Sequence, residues 1–89
     1  MTSRTSPRFR RMLDDLPQEI RRLAIAKYRL WLQDPFSPGL HFKEIRSPVW
    51  AVRINQNYRA LGKRYGEMIV WFWIGPHDEY DRLLKSLNG

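Results

Sequence analysis

The sequence contains no cysteine, which excludes a disulfide framework and every metal site built on thiolates. Only two histidines are present, and we expect no zinc site. Long hydrophobic runs are also missing: the longest, Met68–Ile74, is far too short to cross a bilayer. The basic N-terminus is not followed by the apolar segment of a signal peptide. We therefore expect a cytoplasmic protein without metal, cofactor or membrane contact.

Acidic side chains are scarce relative to basic ones. Sixteen Lys and Arg residues against nine Asp and Glu residues give a formal net charge of +7 at pH 7. In physiological salt this charge attracts a polyanion or an acidic protein over a Debye length of roughly 8 Å. Charge alone does not choose between these partners, and a third explanation is that it only keeps an aromatic-rich domain soluble.

Aromatic and aliphatic residues, in contrast, are plentiful. The 89 residues are 43% hydrophobic and include four Trp, four Tyr and four Phe. This composition is enough for a hydrophobic core and argues against disorder. A chain of this length has room for one domain, which we expect to span residues 1–89.

Two helix starts occupy the N-terminal third. Ser6 can cap free amides and Pro7 suits the first helical position, and Pro17 opens a second helix in the same way. The residues before Ser6 are expected to add a short edge strand or to remain loose. Apolar residues cover more than half of the second helix's circumference. We expect this surplus to pack on the first helix as an antiparallel hairpin, with exposure to a partner protein as the alternative.

Short strand-like runs separated by brief turns follow the helices and predict an antiparallel meander. The last run is apolar on both faces and should lie inside the sheet. After it, Gly75 and Pro76 end the strand and Asp78 is expected to cap a final helix. The predicted fold is α+β: an N-terminal helical hairpin packed on a small, mainly antiparallel β-sheet, with a short C-terminal helix. The predicted strands are Leu40–Ile45, Val49–Asn55, Tyr58–Tyr65 and Met68–Ile74.

Alternation along the second of these strands assigns its two faces. Trp50 and its i+2 neighbours form the face that the helices should cover, so Arg53 projects from the opposite, concave face. Arg59 shares a face with Lys63, and we assign it to the face of Arg53, although a one-residue slip would reverse that assignment. His77 is expected at the strand exit, at the rim of the sheet.

Four side chains are thereby predicted to meet: Arg53, Arg59, His77 and Tyr80. Arginines can neutralise a phosphate, while an imidazole and a phenol can move protons. Together they fit metal-free cleavage of RNA, in which a ribose 2′-hydroxyl attacks the adjacent phosphorus.

Three of the four candidates also have a structural explanation, while Arg53 can simply face water. Tyr80 can pack the last helix on the sheet, Arg59 can pair with Glu44 or Glu67, and His77 can bond a neighbouring carboxylate, Asp78 or Glu79. We assign structural roles to three other residues. Trp71 and Trp73 are expected in the core rather than stacked on RNA bases. His41 is expected to be structural rather than a metal ligand.

Three segments together resemble the RelE/ParE superfamily of bacterial toxins. They are PFSPGLHFKEI at 35–45, VWAVRINQNYRALG at 49–62 and WFWIGPHDEYDRLL at 71–84. The resemblance implies a compact toxin that a cognate antitoxin holds inactive. Its nuclease members cut messenger RNA in the ribosomal decoding site without metal, whereas its gyrase-directed members share the fold and lack that chemistry.

The resemblance also implies roles for particular residues. Basic side chains on the central strands bind and polarise the scissile phosphate, and a residue near the C-terminus assists proton transfer. Arg53, Arg59, His77 and Tyr80 match these positions, so they are the predicted catalytic residues. One departure stands out: Ala51 occupies a place where the best-known ribosome-dependent nuclease carries a second basic residue.

Other basic side chains could supply the positive charge that Ala51 lacks. Lys43 and Lys63 could supply it, and with Arg64 they form the predicted RNA-binding set. The expected partners are an antitoxin, messenger RNA and the ribosome. Two other functions stay open: a noncatalytic inhibitor of DNA gyrase, and a degenerate antitoxin-binding module.

Overall fold

The computed structural model describes the backbone of residues 1–88 and the side chains of residues 1–86. In residues 1–88, three α-helices accompany a five-stranded sheet in the order β1-β5-β4-β3-β2. β1 runs parallel to β5, and the other neighbours are antiparallel. This architecture confirms the predicted α+β fold and makes the N-terminal residues an edge strand. The elements are β1 Thr2–Thr5, α1 Pro7–Asp14, α2 Gln18–Gln33, a 3₁₀ turn Pro38–Leu40, β2 Lys43–Arg46, β3 Val49–Arg53, β4 Tyr58–Tyr65, β5 Met68–Pro76 and α3 His77–Asn88.

The start of α1 follows from its capping residue. The Ser6 hydroxyl accepts a hydrogen bond from the Phe9 amide at 3.0 Å, and Pro7 is the first helical residue. This side-chain cap satisfies an amide that the helix itself cannot pair. Phe9 is thereby turned into the core, and α1 lies mainly against β5.

An aromatic cluster binds α2 to the sheet. The Trp31 ring meets Trp71 edge to face at 5.4 Å between centroids and Phe42 at 5.6 Å. Both tryptophans are at most 2% exposed. The Trp71 indole N–H donates to the Ser3 hydroxyl at 3.1 Å, which links β1 to the cluster. Large rings in these geometries contribute more than their buried area alone, so this face carries the main core.

The apolar surplus of α2 is only partly covered. Ala24 and Trp31 are buried against the sheet, while Ile25 and Leu32 remain 37% and 48% exposed. The helical hairpin therefore does not absorb the whole surplus that the sequence predicts. Within the described residues, no helix combines the length and apolar character needed to span a bilayer.

Several predicted boundaries shift for identifiable reasons. The predicted strand at Leu40 is wrong at its start, because the chain forms a 3₁₀ turn there and β2 begins at Lys43. β3 ends at Arg53, before a turn in which the Asn55 side chain accepts from the Asn57 amide at 2.8 Å.

The junction of β5 and α3 also differs from the sequence prediction. β5 continues through Gly75 and Pro76, and α3 begins at His77, so Asp78 lies in the first helical turn rather than at the cap. Glycine suits position 75 within the strand because a Cβ there would lie 2.7 Å from the Trp73 ring. No linker separates strand from helix, and this fixes where α3 stands relative to the sheet.

Candidate active site

The face of the sheet opposite α1 and α2 carries the candidate site. Arg53 on β3 pairs directly with Arg59 on β4, and Ala51 pairs with Leu61. Directly opposed residues of an antiparallel pair project to the same face. The assignment of Arg59 to the face of Arg53 is therefore confirmed.

The four predicted catalytic side chains line one open cavity of about 240 Å³. Its walls come from β2, β3 and β4, from the start of α3 and from the residue that follows the 3₁₀ turn. A hollow of this size can hold a phosphate with parts of the two sugars attached to it. The lining residues are His41, Lys43, Ala51, Arg53, Arg59, His77 and Tyr80.

The turn between β3 and β4 positions two of these residues at once. The Arg59 guanidinium donates through Nη1 to the carbonyl oxygen of Asn55 and to that of Tyr58 at 3.0 Å. The backbone amide of His77 donates to the carbonyl of Asn57 in the same turn at 2.7 Å. One short loop therefore fixes the guanidinium and the first residue of α3 relative to each other.

The facing arginines make this part of the sheet strongly electropositive. Burial lowers the pKa of Arg59, and the nearby positive charge of Arg53 lowers it further. Like charges placed directly opposite each other destabilise a strand pair. An anion between them removes that repulsion, and guanidinium groups match the geometry of phosphate oxygens. The arrangement is suited to holding a phosphodiester.

His77 is oriented by a carboxylate that the sequence analysis missed. Its Nδ1 lies 3.0 Å from Oδ2 of Asp81, one helical turn later. The structural alternative, a bond to a neighbouring carboxylate, is therefore met by Asp81 instead of Asp78 or Glu79. The i, i+4 spacing puts two side chains on the same helix face, so this pairing was available from the sequence. When Nδ1–H donates to the carboxylate, Nε2 of the neutral ring is left as a proton acceptor.

Tyr80 joins the cavity to the smaller core beneath α3. It is 6% exposed, packs with Leu61 and Trp73, and lies 5.8 Å from the His77 ring and 6.0 Å from the Arg59 guanidinium. Burial raises the pKa of Tyr80, while the Arg59 cation opposes that rise. The phenol consequently stays protonated at neutral pH, and it can donate a hydrogen bond. Packing and a role in the cavity are compatible for this side chain.

The three predicted RNA-binding residues are separated by the structure. Lys43 lines the cavity and pairs directly with Ala51, so a cation on β2 stands beside the position that lacks one on β3. Lys63 lies outside the cavity, with its ammonium 5.7 Å from the Phe72 ring.

Arg64 lies on the other side of the sheet, toward the helices. Its guanidinium sits over the Trp50 ring at 4.7 Å, and Nε donates to the carbonyl of Gly66 at 2.9 Å. An ion pair with Glu67 at 3.6 Å completes its surroundings. The structure thus gives Arg64 a packing role and brings only Lys43 of the three to the cavity.

Comparison with known proteins identifies the family of this fold. The family model described as the ParE-like toxin domain matches residues 18–82. The chain belongs to the ParE-like toxin domain family. This membership confirms the resemblance to the RelE/ParE superfamily. Among curated proteins, none matches the chain.

Solved structures of toxins share the fold at low sequence identity. A chain of the RelB–RelE antitoxin–toxin complex from Methanococcus jannaschii matches with a TM-score of 0.71 at 18% identity, over 89% of this chain and 96% of that chain. YafQ from Escherichia coli matches with a TM-score of 0.67 at 10% identity, over 88% and 94%. The isolated RelE toxin of Escherichia coli gives 0.63 at 13% identity, over 97% of each chain. These similarities establish a common fold.

Proposed function

We propose that this ParE-like domain is the toxin of a type II toxin–antitoxin system and cleaves messenger RNA on the ribosome. The observation that carries the proposal is the convergence of two arginines, a carboxylate-paired histidine and a tyrosine on one open cavity. The toxin folds found by comparison support the first part, and the chemistry of the cavity supports the second.

The proposed reaction uses protein groups for each charge and proton. Nε2 of His77 accepts the proton of the ribose 2′-hydroxyl as its oxygen attacks phosphorus. The bond from phosphorus to the 5′-oxygen breaks, and that oxygen receives a proton. The products are a 2′,3′-cyclic phosphate and a 5′-hydroxyl. A positioned acid or base contributes typically about a hundredfold to ten-thousandfold to such a step.

The cations of the cavity stabilise the transition state. Negative charge grows on the non-bridging oxygens as phosphorus becomes five-coordinate, and Arg53 and Arg59 face these oxygens from neighbouring strands. Arg59 is held in advance by its bonds to two backbone carbonyls. A cation positioned before the reaction needs no reorganisation during it. Tyr80 adds a neutral hydrogen-bond donor, and Lys43 adds a second flank of positive charge.

An antitoxin is the proposed regulator. Three of the matched solved structures are antitoxin–toxin complexes, and the net charge of +7 favours an acidic partner. Ile25 and Leu32 provide apolar surface on α2 that the other described residues leave exposed. An acidic segment with apolar anchors would bind along α2 or cover the cavity, and the complex would form in the cytoplasm, where messenger RNA is translated.

Induced expression in a bacterial host, followed by mapping of transcript 5′ ends, tests the proposal. We expect cuts in phase with codons, and we expect these cuts to disappear in His77→Ala and Arg59→Ala while both variants remain folded. Asp78→Asn, which changes an exposed neighbour of His77, should leave the cuts unchanged. Growth arrest with intact transcripts and DNA damage would favour a gyrase inhibitor instead. Absence of toxicity would favour a binding module.

A further inference from the structure

The cavity contains a second histidine that neither the sequence analysis nor the proposed mechanism uses. His41 lies between the 3₁₀ turn and β2, and it lines the same cavity as His77. Both histidines of the chain therefore face one hollow. Within the described residues, no hydrogen bond or ion pair holds the His41 imidazole. Its ring is free to contact whatever enters the cavity.

The backbone of His41 adopts an unusual conformation. Its φ of 47° lies in the left-handed region, which few residues other than glycine adopt. Glycine would take this conformation without steric cost, so the backbone alone does not call for an imidazole. The left-handed residue ends the 3₁₀ turn and sends the chain into β2. A side chain at this point stands at the edge of the cavity.

The order of the strands separates the two histidines. His77 follows β5, His41 precedes β2, and β4 and β3 with their arginines lie between them. In the reaction proposed above, the attacking 2′-oxygen and the departing 5′-oxygen occupy opposite sides of phosphorus. The group that removes a proton and the group that supplies one must therefore also stand on opposite sides. A phosphate between Arg53 and Arg59 would have one imidazole on each flank.

We infer that His41 supplies the proton to the departing 5′-oxygen, opposite His77. Tyr80 is poorly placed for that task because it lies beside His77, on the flank of the attacking oxygen. Lys43 shares the flank of His41, but its ammonium is a compact point charge that suits it to stabilising negative charge on the phosphate. This inference rests on the proposed ribonuclease function. It assigns the second proton transfer, which that function left without a donor.

A sulfur-substituted linkage separates this role from simple binding. Programmed ribosomes would carry messenger RNA with either the natural 5′-oxygen or a bridging 5′-sulfur at the scissile position. Sulfur leaves without protonation, since thiols ionise near pH 8.5, far below alcohols. His41→Asn and His41→Gly remove the imidazole and both suit a positive φ. His77→Gln serves as the matched variant on the other flank.

The expected result is selective. His41→Asn and His41→Gly should slow cleavage of the oxygen linkage by about a hundredfold to ten-thousandfold and leave cleavage of the sulfur linkage near the wild-type rate. His77→Gln should slow both linkages. Equal slowing of both linkages by the His41 variants, or slowing of neither, would overturn the assignment while the ribonuclease proposal survives. A wild-type protein that cuts neither linkage would overturn the ribonuclease proposal itself.

Discussion

The two faces of the sheet use the same strands for opposite purposes. On β3, Trp50 and Val52 turn toward the helices and join the aromatic core, while Arg53 turns toward open solvent. The covered face holds packed rings, whereas the open face holds paired like charges that oppose folding. Burial of aromatic rings on the covered face stabilises the fold and offsets the repulsion between the arginines of the open face. Substitutions on the two faces should therefore have different consequences.

The largest effect on chemistry is expected at His77. Replacing it with alanine should reduce the RNA cleavage rate by about a hundredfold to ten-thousandfold, because the proton acceptor is lost. The free energy of unfolding should change by less than about 1 kcal/mol, since the ion pair with Asp81 is about half exposed to solvent. Rates on programmed ribosomes and urea unfolding measure both quantities. A large loss of stability would instead assign His77 to the fold.

The reverse pattern is expected at Trp31 on the covered face. Trp31→Ala should lower the free energy of unfolding by about 3–5 kcal/mol, because a fully buried ring leaves a cavity. Leu32→Ala, next to it and exposed, should stay within about 0.5 kcal/mol of the wild type. Chemical denaturation of both variants and the wild type measures these free energies of unfolding. Similar losses in both would contradict the view that the core lies between α2 and the sheet.

A smaller effect is expected at Asp81. A hydrogen bond to a charged group contributes about 1.5–3 kcal/mol, and the half-exposed setting favours the lower end, so Asp81→Asn should slow cleavage roughly tenfold. The loss should fall on kcat and leave KM unchanged, because Asp81 orients His77 and does not line the cavity. Asp81→Glu should recover part of the rate. An unchanged kcat in Asp81→Asn would remove the carboxylate from the mechanism.

Lys43 and Arg64 offer a matched pair of cations on opposite faces. In an inactive His77→Ala background, Lys43→Ala should reduce the salt dependence of single-stranded RNA binding by a slope of about 0.7, the value for one lost phosphate contact. Arg64→Ala should leave the slope unchanged, because its guanidinium is stacked on Trp50. Fluorescence titration at several salt concentrations provides the slopes. Equal changes in both variants would place RNA on both faces.

The smallest effect concerns Tyr80, where core and cavity meet. Its pKa is raised in the folded protein, mainly by burial, so the folded state keeps the phenolic proton at pH values where the unfolded chain loses it. This contribution to stability is complete below about pH 10 and is lost as the pH rises through the raised pKa. Tyr80→Phe should flatten the fall in stability above pH 10. An unchanged slope would show that the phenol is as well solvated in the folded protein as in the unfolded one.

Local patterns in the sequence were sufficient for most of the fold. The Ser6–Pro7 cap, the break at Pro17 and the period-2 alternation of the strands act over a few residues, so they can be read without coordinates. The left-handed turn at His41 and the continuation of β5 through Gly75 were missed. Each depends on packing in three dimensions, such as the orientation of the Trp73 ring against Gly75, two residues along the same strand.

How much of the candidate site could be predicted from the sequence depended on the pairing register of the strands that carry it. Once Arg53 and Arg59 pair, their shared face follows, but the pairing itself is a tertiary fact. The partner of His77 could have been found from helical spacing, since Asp81 is four residues on. His41 carried no comparable signal, because its place in the cavity depends on how the chain between α2 and β2 folds back over the sheet edge. Arg64 lies on the face opposite Arg59 and Lys63, because one residue along β4 changes the face and the sequence alone does not fix that register.

The central claim is that the open face cleaves RNA with its own side chains, through attack of the 2′-hydroxyl. Analysis of the ends produced by purified protein on programmed ribosomes tests it most directly. The account predicts a 2′,3′-cyclic phosphate on one fragment and a 5′-hydroxyl on the other, with both absent in His77→Ala. Fragments that end in a 3′-hydroxyl and a 5′-phosphate, or no fragments at all, would contradict it.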